Sequence, residues 1–433
     1  MDKEMEMLLS LLSSFKKGEI VSKSKLVTLN EKILHYYYEI IRNWNQLNFI
    51  LNKTLRSFDG GNEGLDVDPS YLYYAVYRIM NEQALPDQVL NELDLKKEQV
   101  FLLNRIKTFS WNIALKDKSK TERLSIEKAI PSFFIERLLK VMNIEEISKN
   151  MDYMDNFDEN DDFTFQILSS KDQGNIIENL KSKNIPVYPD PNIPRLFFSQ
   201  NKYKKHILSS NWYSEGKILL QDKSSAAVAN VLSLGQSDFF WDACIAPGVK
   251  SIGISKASED NFKMIGGDFD INRLYQSRIL MLKYKVNNVN LCQMDSILPP
   301  FRFKNFFDKI LIDAPCSGSG TFRNNPELKW KQSRYFLKTT TTLQEKLLAT
   351  AVKYLKPNGI LVYVTCSLYP EEGELQLIKY VDELIPMKLP DWFSKSYKIN
   401  DSHIRGTGRL FPAIHHSQGF FIGKFKKKLH NLS

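Results

Sequence analysis

The stretch that decides the fold is Lys309-Ile-Leu-Ile-Asp-Ala-Pro-Cys-Ser-Gly-Ser-Gly320. A short run of apolar, β-branched residues ends in a carboxylate, a proline, a thiol and a turn of glycine and serine. This pattern is typical of a buried parallel strand that carries polar groups at its carboxyl end. In an open α/β sheet, ligands bind at that edge. The stretch therefore predicts a parallel sheet whose functional residues follow its strands.

A second stretch, Gly359-Ile-Leu-Val-Tyr-Val-Thr-Cys-Ser367, repeats the pattern of an apolar strand followed by a thiol. The sequence predicts further strands at 239–242, 264–268, 289–295 and 419–425, and helices at 273–286, 335–355 and 371–384. Strands that alternate with helices from residue 216 onward are typical of a parallel, doubly wound α/β sheet. The two thiol-ended strands would bring Cys316 and Cys366 to one edge of that sheet.

Upstream of residue 216 the composition changes twice. Residues 1–148 carry apolar residues at helical spacing, which predicts an all-helical domain. Its many tyrosines are expected in the core, with stacking on bases as the alternative. An acidic linker is predicted at 149–162, where the acidic residues are Asp152, Asp155, Asp158, Glu159, Asp161 and Asp162. Residues 163–215 predict a small α/β subdomain, and 216–433 form the domain that carries both thiols.

Composition and charge restrict the class of protein. A length of 433 residues predicts two or three domains, and a net charge of +9 favours an anionic partner such as nucleic acid. The four cysteines are far apart and form no CxxC or Cys/His pairing, which argues against disulfides and against zinc, and for a reducing cytosol. No signal peptide or membrane-span pattern is visible. We therefore expect a cytoplasmic monomer without a metal site or a membrane partner.

The loop after the strand 239–242 reads Asp242-Ala-Cys-Ile-Ala-Pro-Gly-Val-Lys-Ser251. A glycine-containing turn before a helix lets backbone N–H groups approach a ligand, yet the dinucleotide and phosphate-binding motifs are both absent. Asp268, Asp270 and Asp295 follow the next two strands, where carboxylates can bind ribose hydroxyls and face adenine. Each aspartate alone could equally be a helix cap. Together they predict a nucleoside ligand without a pyrophosphate, which is S-adenosylmethionine.

A methyl donor gives the two thiols a chemical role. Carbon 5 of cytosine is a poor nucleophile, but a thiolate that adds to carbon 6 turns the ring into an enamine that can attack a methyl sulfonium. The thiolate needs a lowered pKa or a nearby base, and the ring needs a hydrogen bond at its N3 side, for which Asp313 is the candidate. A second thiol could help to break the protein–base bond. Cys244 and Cys292 are expected to be small buried hydrophobes, which leaves Cys316 and Cys366 for catalysis.

Several motifs follow one another through the second half of the chain. They are Gln221-Asp-Lys-Ser-Ser225, Cys244-Ile-Ala-Pro-Gly-Val-Lys250, Asp268-Phe-Asp-Ile-Asn-Arg273, Asp313-Ala-Pro-Cys-Ser-Gly318, Asn325-Pro-Glu-Leu-Lys-Trp330, Thr365-Cys-Ser367, Arg409-Leu-Phe-Pro412 and Gly419-Phe-Phe421. In this order they resemble the Nop/Sun (RsmB-like) RNA cytosine-C5 methyltransferases. The resemblance implies a Rossmann-like core that uses S-adenosylmethionine to form 5-methylcytosine in a structured RNA, with ribosomal RNA favoured over transfer RNA.

The resemblance also implies roles for single residues. Cys366 would be the nucleophile that attacks carbon 6, and Cys316 would be the thiol that releases the product. Asp313 would contact the base and the cofactor region, and Lys250 would line the catalytic pocket. The cofactor would lie on Cys244, Ile245, Ala246, Pro247, Gly248, Val249 and Lys250, with Asp268 and Arg273 near its ribose, Asp295 near its adenine and Asp313 close by.

Two residues of the cofactor loop depart from the family pattern. The usual Cys-Ala-Ala-Pro-Gly-Gly-Lys is Cys-Ile-Ala-Pro-Gly-Val-Lys here, so Ile245 and Val249 are branched where small residues are common. A positive φ would be disfavoured at Val249. The departure therefore puts the geometry of this loop in question.

The N-terminal third resembles the family less closely. Ala129-Ile-Pro-Ser-Phe-Phe-Ile-Glu-Arg-Leu-Leu139 is similar to the proline-led helix of a NusB-like RNA-binding domain, and 163–188 is similar to the family's small RNA-binding subdomain. The first helices could also be an unrelated extension. Two other functions stay open: a catalytically silent RNA-binding ribosome-assembly factor, and a methyltransferase for exocyclic amines. The latter would have an aromatic residue after Asp-Pro-Pro or Asn-Pro-Pro, where this chain has Cys316.

Overall fold

The computed structural model describes residues 3–19, 26, 29–56, 68–156, 161–259 and 261–429. The chain divides into two compact units. The first comprises Met1–Leu139 with Asn324–Lys331, and the second comprises Lys140–Arg323 with Gln332–Ser433. Among the described helices, none combines the length and the apolar character that crossing a bilayer requires.

The first unit is helical because its apolar residues recur every three or four positions. Its helices are Lys3–Lys16, Glu31–Arg42, Trp44–Arg56, Pro69–Asn81, Pro86–Glu92, Val100–Lys107, Trp111–Ala114, Lys120–Glu127 and Ser132–Leu138. Of the tyrosines expected in the core, Tyr37, Tyr73, Tyr74 and Tyr77 are buried and so not accessible for stacking on bases. Tyr36, Tyr38 and Tyr71 are half-buried.

A short segment from far along the chain completes this unit. The 3-10 turn Pro326–Lys331 packs on the helix Glu31–Arg42. The Lys329 ammonium is fully buried and donates to the Arg42 carbonyl at 3.2 Å, and Trp330 Nε1 donates to the Ile41 carbonyl at 2.7 Å. The Asn325–Trp330 motif therefore belongs to the helical unit.

The second unit begins at Lys140, before the predicted boundary at 148. Its first helix, Ile144–Asp155, has a capping box in which the side chains of Asn143 and Glu146 each accept from the other's backbone N–H at 2.9 Å. Met151 and Met154 on this helix are buried. The prediction of a linker is therefore wrong for 149–155, because a capped amphipathic helix tolerates an acidic composition. Asp158 and Glu159 lie outside the described residues.

A small antiparallel sheet follows. Its strands are β1 (Asp162–Ile167), β2 (Tyr188–Pro189), β3 (Leu196–Gln200) and β4 (Ile218–Leu220), in the order β2-β3-β1-β4, with the helix Ser170–Ser182 packed on it. Phe165 on β1 pairs with Leu220 on β4. The small sheet thus extends past the predicted boundary at 215, since its last strand comes after that residue.

A larger mixed sheet forms the rest of the second unit. Its strands are β5 (Phe239–Asp242), β6 (Lys263–Asp268), β7 (Val289–Gln293), β8 (Phe307–Asp313), β9 (Leu355–Thr365), β10 (Leu384–Pro386), β11 (Ser394–Lys395), β14 (Thr407–Leu410) and β15 (Phe420–Lys427); β12 (Lys398–Ile399) and β13 (Ser402–His403) pair separately. The order is β11-β14-β15-β9-β8-β5-β6-β7, with β10 on β15. Strands β5 to β9 are parallel, and β15 runs antiparallel to β9.

Both faces of this sheet are covered. Its longer helices are Lys223–Leu232, Val249–Ala257, Ile271–Lys283 and Arg334–Tyr354, and the shorter ones of the unit are Lys204–Leu208, Asn211–Ser214, Glu374–Leu377 and Pro412–His415. On β8, Ile310 and Ile312 belong to one buried cluster and Leu311 to the other, so the strand reads as an unbroken apolar run. The chain builds β5, β6 and β7 outward and then returns to β8 on the other side of β5. The carboxyl ends of β5 and β8 therefore form the topological switch point, where ligands bind in such sheets.

Two predicted elements differ from the structure. The helix predicted at 371–384 is broken into the turns Pro370–Glu372 and Ile378–Tyr380 around the helix Glu374–Leu377, and Leu384 already begins β10. The break lies at Gly373, where a Cβ would lie 2.7 Å from Phe421 Cδ2. The strand predicted at 419–425 continues through Lys427, because the Lys427 ammonium is satisfied by Asn305 Oδ1 and the carbonyls of residues 352 and 355 at 2.6–2.9 Å.

Candidate active site

Polar side chains gather at the carboxyl edge of the parallel strands. Asp242, Asp268 and Asp313 are the last residues of β5, β6 and β8, and Cys366 directly follows β9. Asp313 pairs in register with Val364 on β9, so the ends of these two strands are level. Strand order thus places the two thiol-bearing loops side by side.

The structure brings the two predicted catalytic cysteines together. The Sγ atoms of Cys316 and Cys366 lie 3.1 Å apart. Two backbone hydrogen bonds hold their loops in place, from Ala314 N to the Val364 carbonyl and from Gly320 N to the Cys366 carbonyl, both at 3.0 Å. Neither thiol is part of a disulfide.

Cys316 is the thiol of the pair that stays protonated. Its pKa is raised well above the ordinary value by the hydrogen bond with Cys366, then by burial and by the charges of Cys366 and Glu372. The N–H of Gly318 acts weakly in the other direction. A neutral Cys316 can donate its proton toward the Cys366 sulfur, which would stabilise a thiolate there.

Lys250 and Asp313 form an ion pair next to the thiols. Lys250 Nζ lies 2.7 Å from Asp313 Oδ2, and the ammonium is 5.6 Å from the centre of the Phe420 ring. Burial acts to lower the pKa of Lys250, but the charges of Asp313 and Cys366 together raise it above the ordinary value. The lysine therefore stays positively charged close to the Cys366 sulfur.

Asp242, the last residue of β5, is a buried carboxyl of this site that the sequence pattern did not predict as a site residue. Its oxygens accept hydrogen bonds from the Ser251 hydroxyl and, at 3.3 Å, from Cys244 N. Burial raises the pKa of Asp242 to about 7, and the charge of Asp313 adds to the rise. The signal that could have identified it is its position, because it ends a buried strand directly before the glycine-containing loop.

The departures from the family pattern are accommodated by neighbouring glycines. The left-handed backbone falls on Gly248, with φ of +98°, and Val249 is the first residue of the helix Val249–Ala257, where φ is negative. The Ile245 side chain occupies space next to Gly266, where a Cβ would lie 2.3 Å from Ile245 Cδ1. The branched side chains therefore do not distort this loop, and the doubt about Val249 is resolved. The loop also contains a cis peptide bond between Ala246 and Pro247.

The remaining predicted cofactor residues lie along the same edge. Asp268 accepts from Ala246 N at 3.3 Å, and Arg273 donates to the Ala246 carbonyl at 2.6 Å, so both contact the loop. Asp270 accepts from the N–H groups of residues 272 and 273, which makes it the N-cap of its helix. Asp295 is exposed and lies two residues beyond the end of β7, which stops at Gln293 and not at 295 as predicted.

Cys244 lies among these residues but does not resemble a nucleophile. Burial raises the pKa of Cys244 well above the ordinary value, and the nearby carboxylates of Asp242, Asp313 and Asp268 raise it further. In the ranges that the structure describes, no group of three or more His, Cys, Asp and Glu side chains is arranged to hold a metal ion. The reactive groups that meet at this edge are the Cys316–Cys366 pair, the Lys250 ammonium and the Asp313 carboxylate.

Most of the second unit is similar to known proteins. Residues 229–426 match the family model described as 16S rRNA methyltransferase RsmB/F. A probable ribosomal RNA small subunit methyltransferase B from Synechocystis is 31% identical over 221 residues, which cover 50% of this chain and 49% of that protein. A 28S rRNA (cytosine-C(5))-methyltransferase from Mus musculus is 30% identical, over 50% of this chain and 28% of that protein. The chain thus spans about half or less of the length of these relatives.

A solved structure shares the fold. A methyltransferase homologue from Pyrococcus horikoshii is 26% identical, with a TM-score of 0.60 over 72% of this chain and 100% of that chain. The prediction of a Rossmann-like methyltransferase core, accompanied by a small α/β sheet and an N-terminal helical region, is confirmed.

Proposed function

Because residues 229–426 match the family model described as 16S rRNA methyltransferase RsmB/F, we propose that this protein methylates carbon 5 of a cytosine in ribosomal RNA through a transient bond between Cys366 and carbon 6. The observation that carries the proposal is the distance of 3.1 Å between the two thiols, next to the Lys250–Asp313 pair. The names of the Synechocystis and mouse relatives support rRNA as substrate, and that of the mouse relative supports carbon 5. Transfer RNA is the alternative substrate.

The loop 244–250 and the strand ends fit S-adenosylmethionine by the chemistry of their groups. The ligand has an ammonium, ribose hydroxyls and an adenine amine as donors and carries no phosphate. Carboxylates of Asp268 and Asp295 stand at or just after two neighbouring strands, and can accept from those donors. Phe269, which is 76% exposed beside Asp268, offers an apolar surface to the adenine. When bound, S-adenosylmethionine supplies a methyl group on a positively charged sulfur.

In the first step, the Cys366 thiolate attacks carbon 6 of the cytosine. The Lys250 ammonium and the Cys316 thiol both favour the negative charge on that sulfur. Attack at carbon 6 moves ring electrons onto N3, which takes a proton that Lys250 can pass through Asp313, and the ring becomes a neutral enamine. Carbon 5 of the enamine then takes the methyl group, and the electron pair of the broken sulfur–methyl bond stays on the donor sulfur, which leaves as a thioether.

In the second step, the proton on carbon 5 must leave so that the Sγ–C6 bond can break. Once the sulfur of Cys366 is bonded to carbon, it no longer carries the charge that helped to raise the pKa of Cys316. Cys316 can then lose its proton to solvent and take the proton from carbon 5. The electron pair left behind restores the ring double bond and expels Cys366 as a thiolate.

Contact with RNA is assigned to surfaces outside the thiol site. The helical unit is proposed as the NusB-like RNA-binding domain, and the small sheet β1–β4 as the second RNA-binding part. On the small sheet, the exposed Tyr188 ring stacks on Phe198 at 5.4 Å, and Lys202 lies over Tyr203 at 5.3 Å. Exposed rings beside cations are the groups that bind single-stranded bases and phosphates. The basic cluster from Lys202 to His206 could instead be a solvated surface.

The test is transfer of a labelled methyl group from S-adenosylmethionine to ribosomal RNA, with transfer RNA in a parallel assay. Wild type should label a cytosine, and Cys366→Ala should lose about three or more orders of magnitude in rate, as expected when a covalent nucleophile is removed. Cys316→Ser should form a protein–RNA adduct that survives a denaturing gel. Equal labelling by wild type and Cys366→Ala would show that another group is the nucleophile.

The competing function is an RNA-assembly factor without catalysis. It predicts RNA binding by the wild type but no heat of binding with S-adenosylmethionine in calorimetry. The intact set of Cys316, Cys366, Asp313 and Lys250 favours the enzyme, because an inactive protein has no need to keep a lysine and a carboxylate paired beside two thiols.

A further inference from the structure

A buried carboxylate that does not touch either sulfur lies next to the loops of the two thiols. Glu372 is 0% exposed and comes from the turn Pro370–Glu372. Its oxygens accept from Ser317 N at 2.9 and 3.2 Å, from the Ser317 hydroxyl, and from Gln344 Nε2 at 3.0 Å. Burying a charge among neutral donors costs free energy of folding, so a carboxylate kept at this position indicates a specific role.

The same residue also contacts the strand that leads to the nucleophile. The Glu372 carbonyl accepts from the Tyr363 hydroxyl at 2.9 Å and from the Thr365 hydroxyl at 3.3 Å. Thr365 directly precedes Cys366, and Ser317 directly follows Cys316. The side chain of Glu372 therefore holds one cysteine loop and its backbone holds the other.

A ladder of hydroxyl groups connects the two loops in parallel with the thiols. Ser367 Oγ lies 3.3 Å from Ser317 Oγ and 3.0 Å from Ser319 Oγ, and Leu368 N donates to Ser319 Oγ at 2.9 Å. On this ladder only Ser317 contacts the carboxylate of Glu372. Besides the backbone hydrogen bonds between the two loops, Cys316 is thus positioned by one acceptor that binds both the N–H and the hydroxyl of the next residue, Ser317.

The loop of Cys366 has its own separate anchor. Arg409 and Glu374 form a fully buried ion pair at 2.6 Å, and Arg409 Nη1 donates to the Ser367 carbonyl at 2.9 Å. Loss of the Glu372 carboxylate would therefore release the loop of Cys316 first and leave the nucleophile largely in place.

We propose that Glu372 is a positioning residue for product release, which holds Cys316 within reach of the adduct on Cys366 by binding Ser317. The inference rests on the proposed function, and it adds a step-specific role for a residue that does not touch the base. The negative charge of Glu372 also contributes to the raised pKa of Cys316, so it helps to keep that thiol protonated until the adduct forms.

The test is Glu372→Gln in the full chain, assayed for adduct and for turnover. An amide accepts more weakly than a carboxylate from the two donors of Ser317. This weaker binding is expected to slow multiple turnover by about 10- to 100-fold. We expect the first methyl transfer in a single-turnover assay to stay within about threefold of wild type, because Cys366 is held by Arg409. Multiple turnover should fall, and a protein–RNA adduct should accumulate on a denaturing gel, as for Cys316→Ser.

Controls separate positioning from a general loss of structure. Ser317→Ala, which removes only the hydroxyl donor, should shift turnover in the same direction by less. Glu383→Gln, at an exposed carboxylate, should behave as wild type. The proposal is overturned if Glu372→Gln releases product as fast as wild type, or if it loses adduct formation and turnover in equal proportion. A wild type that labels no RNA would instead overturn the proposed function.

Discussion

Lys250 Nζ lies 2.7 Å from Asp313 Oδ2, across the switch point of the large sheet. Lys250 follows β5 through the loop 243–248, and Asp313 ends β8, so the pair joins the two halves of the sheet at its ligand-binding edge. The ammonium is held positive by Asp313 and Cys366 in spite of burial. The Lys250 ammonium thus pairs with the Asp313 carboxylate and also favours a negative charge on the Cys366 sulfur.

Replacement of that charge should slow the attack on cytosine. In a Cys316→Ser background, Lys250→Met is expected to reduce the rate of adduct formation by about 100-fold at pH 7, because a preorganised cation no longer favours the thiolate. The measurement is the adduct rate on denaturing gels at pH 7. Lys263→Met, at an exposed lysine that begins β6, is the matched control, and an unchanged rate in Lys250→Met would remove Lys250 from the mechanism.

Asp242 should make the protein less stable as the pH rises toward neutrality. Its pKa is raised from 3.8 to about 7, so the folded state keeps a proton that the unfolded state has lost. The contribution is fully favourable below about pH 4 and is lost as the pH passes 7, by at most roughly 4 kcal/mol. Asp242→Asn should flatten this part of the curve when urea unfolding is measured from pH 4 to pH 8. Asp382→Asn, at an exposed carboxylate, should leave it unchanged, and parallel curves for wild type and Asp242→Asn would refute a shifted Asp242.

Gly320 should not tolerate a side chain. A Cβ there would lie 2.0 Å from the Gly419 carbonyl oxygen, and backbone atoms cannot move aside as a flexible side chain can. We expect Gly320→Ala to lower the free energy of unfolding by about 1–3 kcal/mol or more. Gly174→Ala is the matched control, because nothing lies within 4 Å of its Cβ in the helix Ser170–Ser182, and it should gain about 0.5–1 kcal/mol. Denaturant unfolding measures both, and equal effects would contradict the close approach of the two glycines.

Much of the large sheet could be predicted because its strands carry their own pattern. The runs before Asp313 and Cys366 are apolar on both faces and end in polar residues, and the strand 239–242 lies where predicted. The helix predicted at 371–384 could not be excluded locally, because its break at Gly373 reflects crowding by Phe421 from a distant strand. The continuation of β15 through Lys427 could not be predicted locally either, because the carbonyls that bind the Lys427 ammonium come from elsewhere in the chain.

The roles predicted for Cys316, Cys366, Asp313 and Lys250 stay predictions, but their proximity is now an observation. Glu372 was missed because nothing in its local sequence marks a carboxylate as buried. The positioning role proposed for Glu372 depends on its contact with Ser317, which is 55 positions away in the chain. Asp242 was not predicted as a site residue because its raised pKa is caused by burial in the packed interior.

The sequence alone determined the five parallel strands β5 to β9, the strand β15 and the reactive groups that follow them, because these are properties of neighbouring residues and their spacing. The tertiary structure decided how those groups meet. Strand order put the sulfur atoms of Cys316 and Cys366 3.1 Å apart, and packing buried Glu372 behind them. The distances between residues far apart in the chain, and the burial of their side chains, arise only when the whole core packs. The local sequence pattern therefore cannot predict them.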